Sequence, residues 1–185
     1  MHIVYSRNVV EFVTVANEYT KFLEHADQLE KKEFIQRLHM LAAYLYQKAV
    51  LLPQVEPEME GSTEKFVDEE TYEAVKTQAE LKFGTHDEFL DVYEPIRTES
   101  HDGIKVSLAE CFADVYQDLK DFVSAYSQGL TEIMNDALYE CRLNFEQYWG
   151  PRLLAAMGVL HNLVMGDADL EQDENEEPPK KYEDA

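Results

Sequence analysis

From Ser107 to Gly129 the chain carries its most restrictive pattern. Leu108, Phe112, Val115, Leu119, Phe122 and Tyr126 recur every three or four residues, and Ser107 stands three before Glu110, the spacing of a reciprocal helix cap. Only a helix presents all of those side chains on one face, and a stripe of that length must be buried against other elements. The pattern therefore predicts a helix ending near Gly129 and demands neighbours with matching apolar stripes.

Such neighbours are legible on both sides. Phe12, Val13, Ala16, Tyr19 and Leu23 share helical spacing within 8–26, with Ser6 or Asn8 available as a cap, and Phe34, Leu38, Leu41, Leu45, Ala49 and Leu52 do so within 32–52. A short charged link joins the two and Pro53 stops the second, which predicts an antiparallel hairpin. The 53–68 stretch is polar, with two prolines, Pro53 and Pro57, and no apolar repeat, and is expected to be a mobile connection. A lesser helix follows over 69–83 on Tyr72, Val75, Ala79 and Phe83, ended by Gly84. Thr85, three before Glu88, predicts a short helix over 87–93 closed by Pro95, and Arg97 to Val106 reads as a surface loop. After Gly129, Ile133, Ala137, Leu138, Cys141 and Phe145 predict a helix that stops at Gly150-Pro151, and Pro151 then opens a last helix reaching about Met165.

The expected fold class is all-α: an up-down bundle of about five to seven helices, with an N-terminal hairpin and a C-terminal three-helix unit in a single domain over 1–166. Seven glycines and six prolines in 185 residues suit helices better than a turn-rich β fold. No repeat of fixed period points to a solenoid.

Charge narrows the partners. Sixteen Lys and Arg against 38 Asp and Glu give a net charge of −22, which repels phosphate backbones and anionic lipid, so neither nucleic acid nor membrane is an expected partner. The most apolar stretch, Leu38 to Leu52, is broken by His39, Gln47 and Lys48, and the first residues lack the pattern of an export signal. Residues 167–185 hold nine acids and two lysines with little apolar content, the composition of a disordered acidic tail. Cys111 and Cys141 stand 18 and 12 residues from Gly129, a mismatch of about 9 Å on antiparallel helices, so they are expected as free thiols in a reducing cytoplasm.

Catalytic patterns are sparse. The sequence has no Walker phosphate loop and no dinucleotide fingerprint, and Ala125 to Gly129 lacks the first glycine of a nucleophile elbow. No two histidines stand four apart, and none follows a Glu by three, so zinc-protease and di-iron patterns fail. Asp118 and Asp121, followed by Glu132 and Asn135, form two pairs at three-residue spacing on adjacent helices, where oxygens could hold Mg²⁺. This resembles the acidic pairs of the all-α nucleotide pyrophosphohydrolases, with Asn135 where they carry Asp. Helical geometry, however, points Asp121 and Glu132 away from the apolar stripes, toward solvent, and makes Glu110, Asp114 and Asp118 a solvated acidic ridge.

His161 shares a face with Leu154, Met157 and Val164, so it is expected as a core histidine with a hydrogen-bond partner; with Trp149 it could instead line a ligand pocket. Trp149, before Gly150, is otherwise a packing anchor.

Val106-Ser107-Leu108-Ala109, Asp114-Val115-Tyr116-Gln117-Asp118-Leu119-Lys120, Tyr148-Trp149-Gly150 and Leu160-His161 together resemble an uncharacterised all-helical bacterial family, a domain of unknown function. The likeness covers most of 8–165, and Pro151 departs from the polar residue more usual after that Trp-Gly. The resemblance implies an all-α cytoplasmic bacterial protein and carries no site. The expected function is a non-enzymatic intracellular interaction or scaffold protein that binds a protein partner or itself and needs no cofactor. The alternatives are a divalent-metal-dependent phosphohydrolase of small nucleotides, using Mg²⁺ on Asp118, Asp121 and Glu132, and a small-ligand sensor.

Overall fold

The computed structural model of the chain describes residues 2–91 and 104–166, together with Ala168 and Leu170. The 167–185 tail therefore lies outside the described residues, apart from those two.

Six α-helices make up the described bundle: α1 (Arg7–Glu24), α2 (Lys31–Val50), α3 (Glu69–Phe83), α4 (Leu108–Tyr126), α5 (Thr131–Asn144) and α6 (Gly150–Met165). The stripe that begins at Ser107 became the central element: α4 packs on α1, α3, α5 and α6, while α2 packs on α1 and α6. Phe112, Val115, Tyr116 and Leu119 are fully buried there, and Phe12 meets Phe122 with ring centroids 5.4 Å apart. Each fully buried Phe or Leu contributes about 1.5–3 kcal/mol, which makes this helix the main source of cohesion.

The helix starts follow the local chemistry unevenly. Ser107 Oγ accepts from the Glu110 N–H at 3.0 Å, and Asp68 caps α3 by accepting from the Thr71 N–H at 2.8 Å. Ser6 precedes α1 but its side chain makes no capping bond. Between α4 and α5 the chain turns at Gly129, whose φ of 75° would strain any side chain.

Three expectations about the connections are corrected. The short helix over 87–93 is instead β1 (Glu88–Asp91), paired antiparallel with β2 (Ile104–Ser107), so the expected loop ends in a strand; residues 97–103 of that loop lie outside the described residues. Asp87 decides the matter: its carbonyl accepts from the Leu108 N–H and its carboxylate from the Ala109 N–H, both at 2.8 Å, so the stretch serves the start of α4 rather than a helix of its own. The break at Gly150-Pro151 does not occur either. A π turn over Phe145–Trp149 joins α5 to α6, and Pro151 sits in the first turn of α6, where its missing N–H costs little. A Cβ at Gly150 would lie 2.3 Å from the Phe145 carbonyl oxygen and 2.9 Å from its ring, so only glycine fits the wider turn.

The third correction concerns 53–68. The segment between α2 and α3 is irregular, yet it is fastened along its length to α4 and α5, as described next.

Candidate functional site

The acidic residues of α4 and α5 divide into those that hold the protein's own backbone, those that accept from neighbouring side chains and those that stay exposed. Asp136 accepts from the N–H groups of Glu58 and Met59 at 2.7 and 2.9 Å. Asp121 accepts from those of Phe66 and Val67 at 2.6 and 3.0 Å. Glu140 takes the Thr63 N–H and hydroxyl, at 2.6 and 2.7 Å, and the Lys65 ammonium at 3.1 Å. Asn135 donates to the Glu56 carbonyl at 2.7 Å, and Arg142 donates to that of Leu52. An irregular strap cannot satisfy its own N–H groups, and carboxylates on a neighbouring helix are strong acceptors for them. Asp121 is therefore buried, not solvent-facing, because two backbone donors replace its water.

The expected acidic ridge is corrected at Asp114 and Asp118, while Glu110 is exposed as expected. Asp114 is buried and accepts from the Tyr72 and Tyr148 hydroxyls at 2.9 Å each, with Arg152 at 2.9 Å; Arg152 also lies over the Tyr148 ring. Burial, together with the negative Asp114, pushes the Tyr148 hydroxyl up to about 12. Asp118 accepts from Asn144 at 2.7 Å, and burial pushes its carboxyl up to about 6 against the pull of Asn144 and Lys65. For Glu140, burial works upward, but the Thr63 bonds and Lys65 prevail and hold it below the ordinary range.

The proposed metal set is not assembled. Asp118 and Asp121 share the small polar space beneath Thr63 and Lys65, but both already have donors, and Glu132 is exposed in the first turn of α5. Among the described residues no group of three His, Cys, Asp or Glu side chains is placed to hold a metal ion.

Trp149 and His161 are not brought together. Twelve residues apart on one helical run, they are separated by about 18 Å of rise. Trp149 is fully buried, tilted against Phe145 at 4.6 Å, and donates to the Cys141 carbonyl at 3.3 Å. His161 is exposed, which corrects its reading as a core histidine; its ring meets His39 of α2 edge-on at 5.8 Å. Burial and the neighbouring His161 lower the pKa of His39. Cys111 and Cys141 are both buried and in no disulfide, and burial pushes the Cys141 thiol up.

A different surface is left open. Glu18, Lys21 and Phe22 of α1, with His25 just past its end, face Arg37, Met40, Leu41 and Tyr44 of α2 across a groove of about 700 Å³, with Gln28 and Leu29 at one end. Its floor is apolar: Phe22 is half-buried and stacks on Phe34 at 5.3 Å, whereas Met40 and Tyr44 stay 65% and 48% exposed. Residues 37, 40, 41 and 44 form a second apolar-tolerant stripe on α2, offset from the core stripe of Phe34, Leu38 and Leu45. That offset spacing was the available signal, hidden because Leu41 also falls on the core stripe read from the sequence.

The architecture is thus that of an all-α bundle with a carboxylate-fastened strap and an open groove on its N-terminal hairpin. The chain belongs to the family described as Domain of unknown function (DUF5063), whose model matches residues 3–166. It is similar to a solved crystal structure, protein BF1032 from Bacteroides fragilis, at 34% identity and a TM-score of 0.77, covering 88% of this chain and 95% of that one. No curated protein matches the chain.

Proposed function

We propose that this chain is a non-enzymatic intracellular interaction protein that docks a protein partner through the α1/α2 groove. The carrying observation is the groove itself: α1 and α2 line it with the half-buried Phe22 and Leu41 and with Met40 and Tyr44, which stay largely exposed, where solvent contact is unfavourable and a partner would relieve it. Of the side chains that suggested metal chemistry, Asp121 serves the strap, Asp118 accepts from Asn144 and Glu132 is exposed. No helix of the described residues is long and apolar enough to cross a membrane. Two buried thiols outside any disulfide fit a reducing cytoplasm. The net charge of −22 disfavours nucleic acid as the partner.

The test is a photo-crosslinking residue placed at Met40, with Leu81, 76% exposed on α3, as the control position. A discrete adduct from bacterial lysate at position 40 and none at position 81 is expected. The same adducts at both positions, or none at either, would sink the reading.

A further inference from the structure

We infer that His39 of α2 and His161 of α6 form a surface chelate for a divalent transition ion of the Zn²⁺ class, held between two helices far apart in the chain. The inference is independent of the α1/α2 groove. Its footing is the meeting of the two rings across the α2/α6 contact, with centroids 5.8 Å apart.

That spacing suits a shared ion. Zn²⁺ binds an imidazole nitrogen at about 2.0–2.1 Å, which puts each ring centre about 3 Å from the metal. Two rings on one tetrahedral ion therefore have centres about 5 Å apart, and two on opposite sides of an ion about 6 Å. The observed 5.8 Å lies inside that limit with the helices where they are. The rings stand edge-on at 60°, so one must turn about its terminal side-chain bond, a broad torsion open to the exposed His161.

The surroundings leave both rings available. Among the described residues, no hydrogen bond or ion pair engages either imidazole. None of the residues three or four positions from either ring, those sharing its helix face, is charged. On these two helices, then, no carboxylate competes for the rings and no ammonium repels an ion. Ala43 stands one turn beyond His39 and Gly158 one turn before His161, and a Cβ added at Gly158 would meet open space, which leaves room for the ion's waters. Burial and the neighbouring ring lower the pKa of His39, which keeps that imidazole in the neutral form that ligates metal.

The donors select the ion. Two imidazoles, joined by no third His, Cys, Asp or Glu among the described residues, suit Zn²⁺, Ni²⁺ or Cu²⁺ and not the oxygen-seeking Mg²⁺ or Ca²⁺. Water takes the remaining positions, so the ion exchanges readily. A chain of net −22 concentrates divalent cations around itself. Because the ligands lie on different helices, the ion ties the N-terminal hairpin to α6, and its binding stabilises the fold.

The experiment titrates Zn²⁺ into the full chain in excess Mg²⁺, which occupies carboxylates without competing for imidazole. Saturable binding is expected to shift the ring nitrogen signals of His39 and His161 together in NMR spectra and to raise the thermal unfolding midpoint. His161→Gln, at an exposed position, is expected to weaken binding at least about tenfold, as is His39→Gln, since even a residue that only steadies a metal ligand is worth about 10–100-fold. His86→Gln is the control and binds Zn²⁺ as the parent does.

Equal Zn²⁺ affinity in the parent and His161→Gln would overturn the inference. Binding abolished by His2→Gln would overturn it too, by placing the ion at His2 and Glu58, 3.6 Å apart. So would the absence of saturable binding in excess Mg²⁺, or an unfolding midpoint that saturating Zn²⁺ leaves unmoved.

Discussion

The face built by α4, α5 and the 53–68 strap and the groove between α1 and α2 treat polar and apolar groups in opposite ways. On the first, carboxylates are buried and every named one has a donor: two backbone N–H groups for Asp136, two for Asp121, two tyrosines and an arginine for Asp114. On the second, Met40 and Tyr44, side chains suited to burial, stand largely exposed. The acids that make this chain so negative are therefore partly internal structure, and an acidic motif on a helix is no guide to a metal site until the backbone it serves is known. The groove has no such internal purpose, which is why it carries the functional reading.

The comparison can be broken at either face. The largest effect is expected from Asp121→Ala combined with Asp136→Ala, which strands four strap N–H groups. A hydrogen bond to a charged group contributes about 1.5–3 kcal/mol where buried and less where water can replace it, as at the exposed Glu58, Met59 and Phe66, so urea unfolding should show a loss of about 3 kcal/mol or more, with new proteolytic cleavage inside 53–67. A loss under about 1 kcal/mol would mean the strap contributes little. Arg152→Ala, which removes the cation from Asp114 and from the Tyr148 ring, is expected to cost about 2 kcal/mol.

Asp118 should behave in the opposite direction. Its carboxyl stands near 6 in the fold, raised above its ordinary 3.8, so the folded state binds more protons between those values and stability falls as pH rises through that window. At pH 7 the charged form is therefore a cost. Asp118→Asn keeps an acceptor for Asn144 and is expected to stabilise by about 1–2 kcal/mol at pH 7 and by little at pH 4, read from thermal unfolding at the two values. No gain at pH 7 would show that attraction to Lys65 offsets the burial. The smallest stability change is expected at the groove: Met40→Asp should move folding by less than about 0.5 kcal/mol, because Met40 is mostly exposed, while removing partner binding. A large destabilisation there would mean that the groove floor belongs to the core.

Much of the fold was legible because long apolar stripes have few solutions. The predicted span of α3 matches its observed bounds, and α1, α2 and α4 differ from prediction by a residue or two at their ends. The site was less legible. Helical angles measured from the apolar stripe placed Asp121 in solvent, a valid inference for a helix with one covered face; the strap gave α4 a second covered face, and that cover lies more than 50 residues away in sequence. His161 failed the other way, since its apolar neighbours on α6 suggested burial while the bundle left that flank open beside His39.

What the sequence by itself determined is the set of elements: periodicity, Ser107 and Asp68 at their helix starts and Gly129 at its turn all act within a few residues, so local chemistry fixes them. What only the tertiary structure decided is which polar groups are inside. That depends on whether a distant backbone brings donors to a carboxylate, as 53–67 does for Asp121, Asp136 and Glu140, or whether two helices part to leave a floor uncovered, as α1 and α2 do around Met40. Desolvation is set by every neighbour at once, and no spacing along one helix records it.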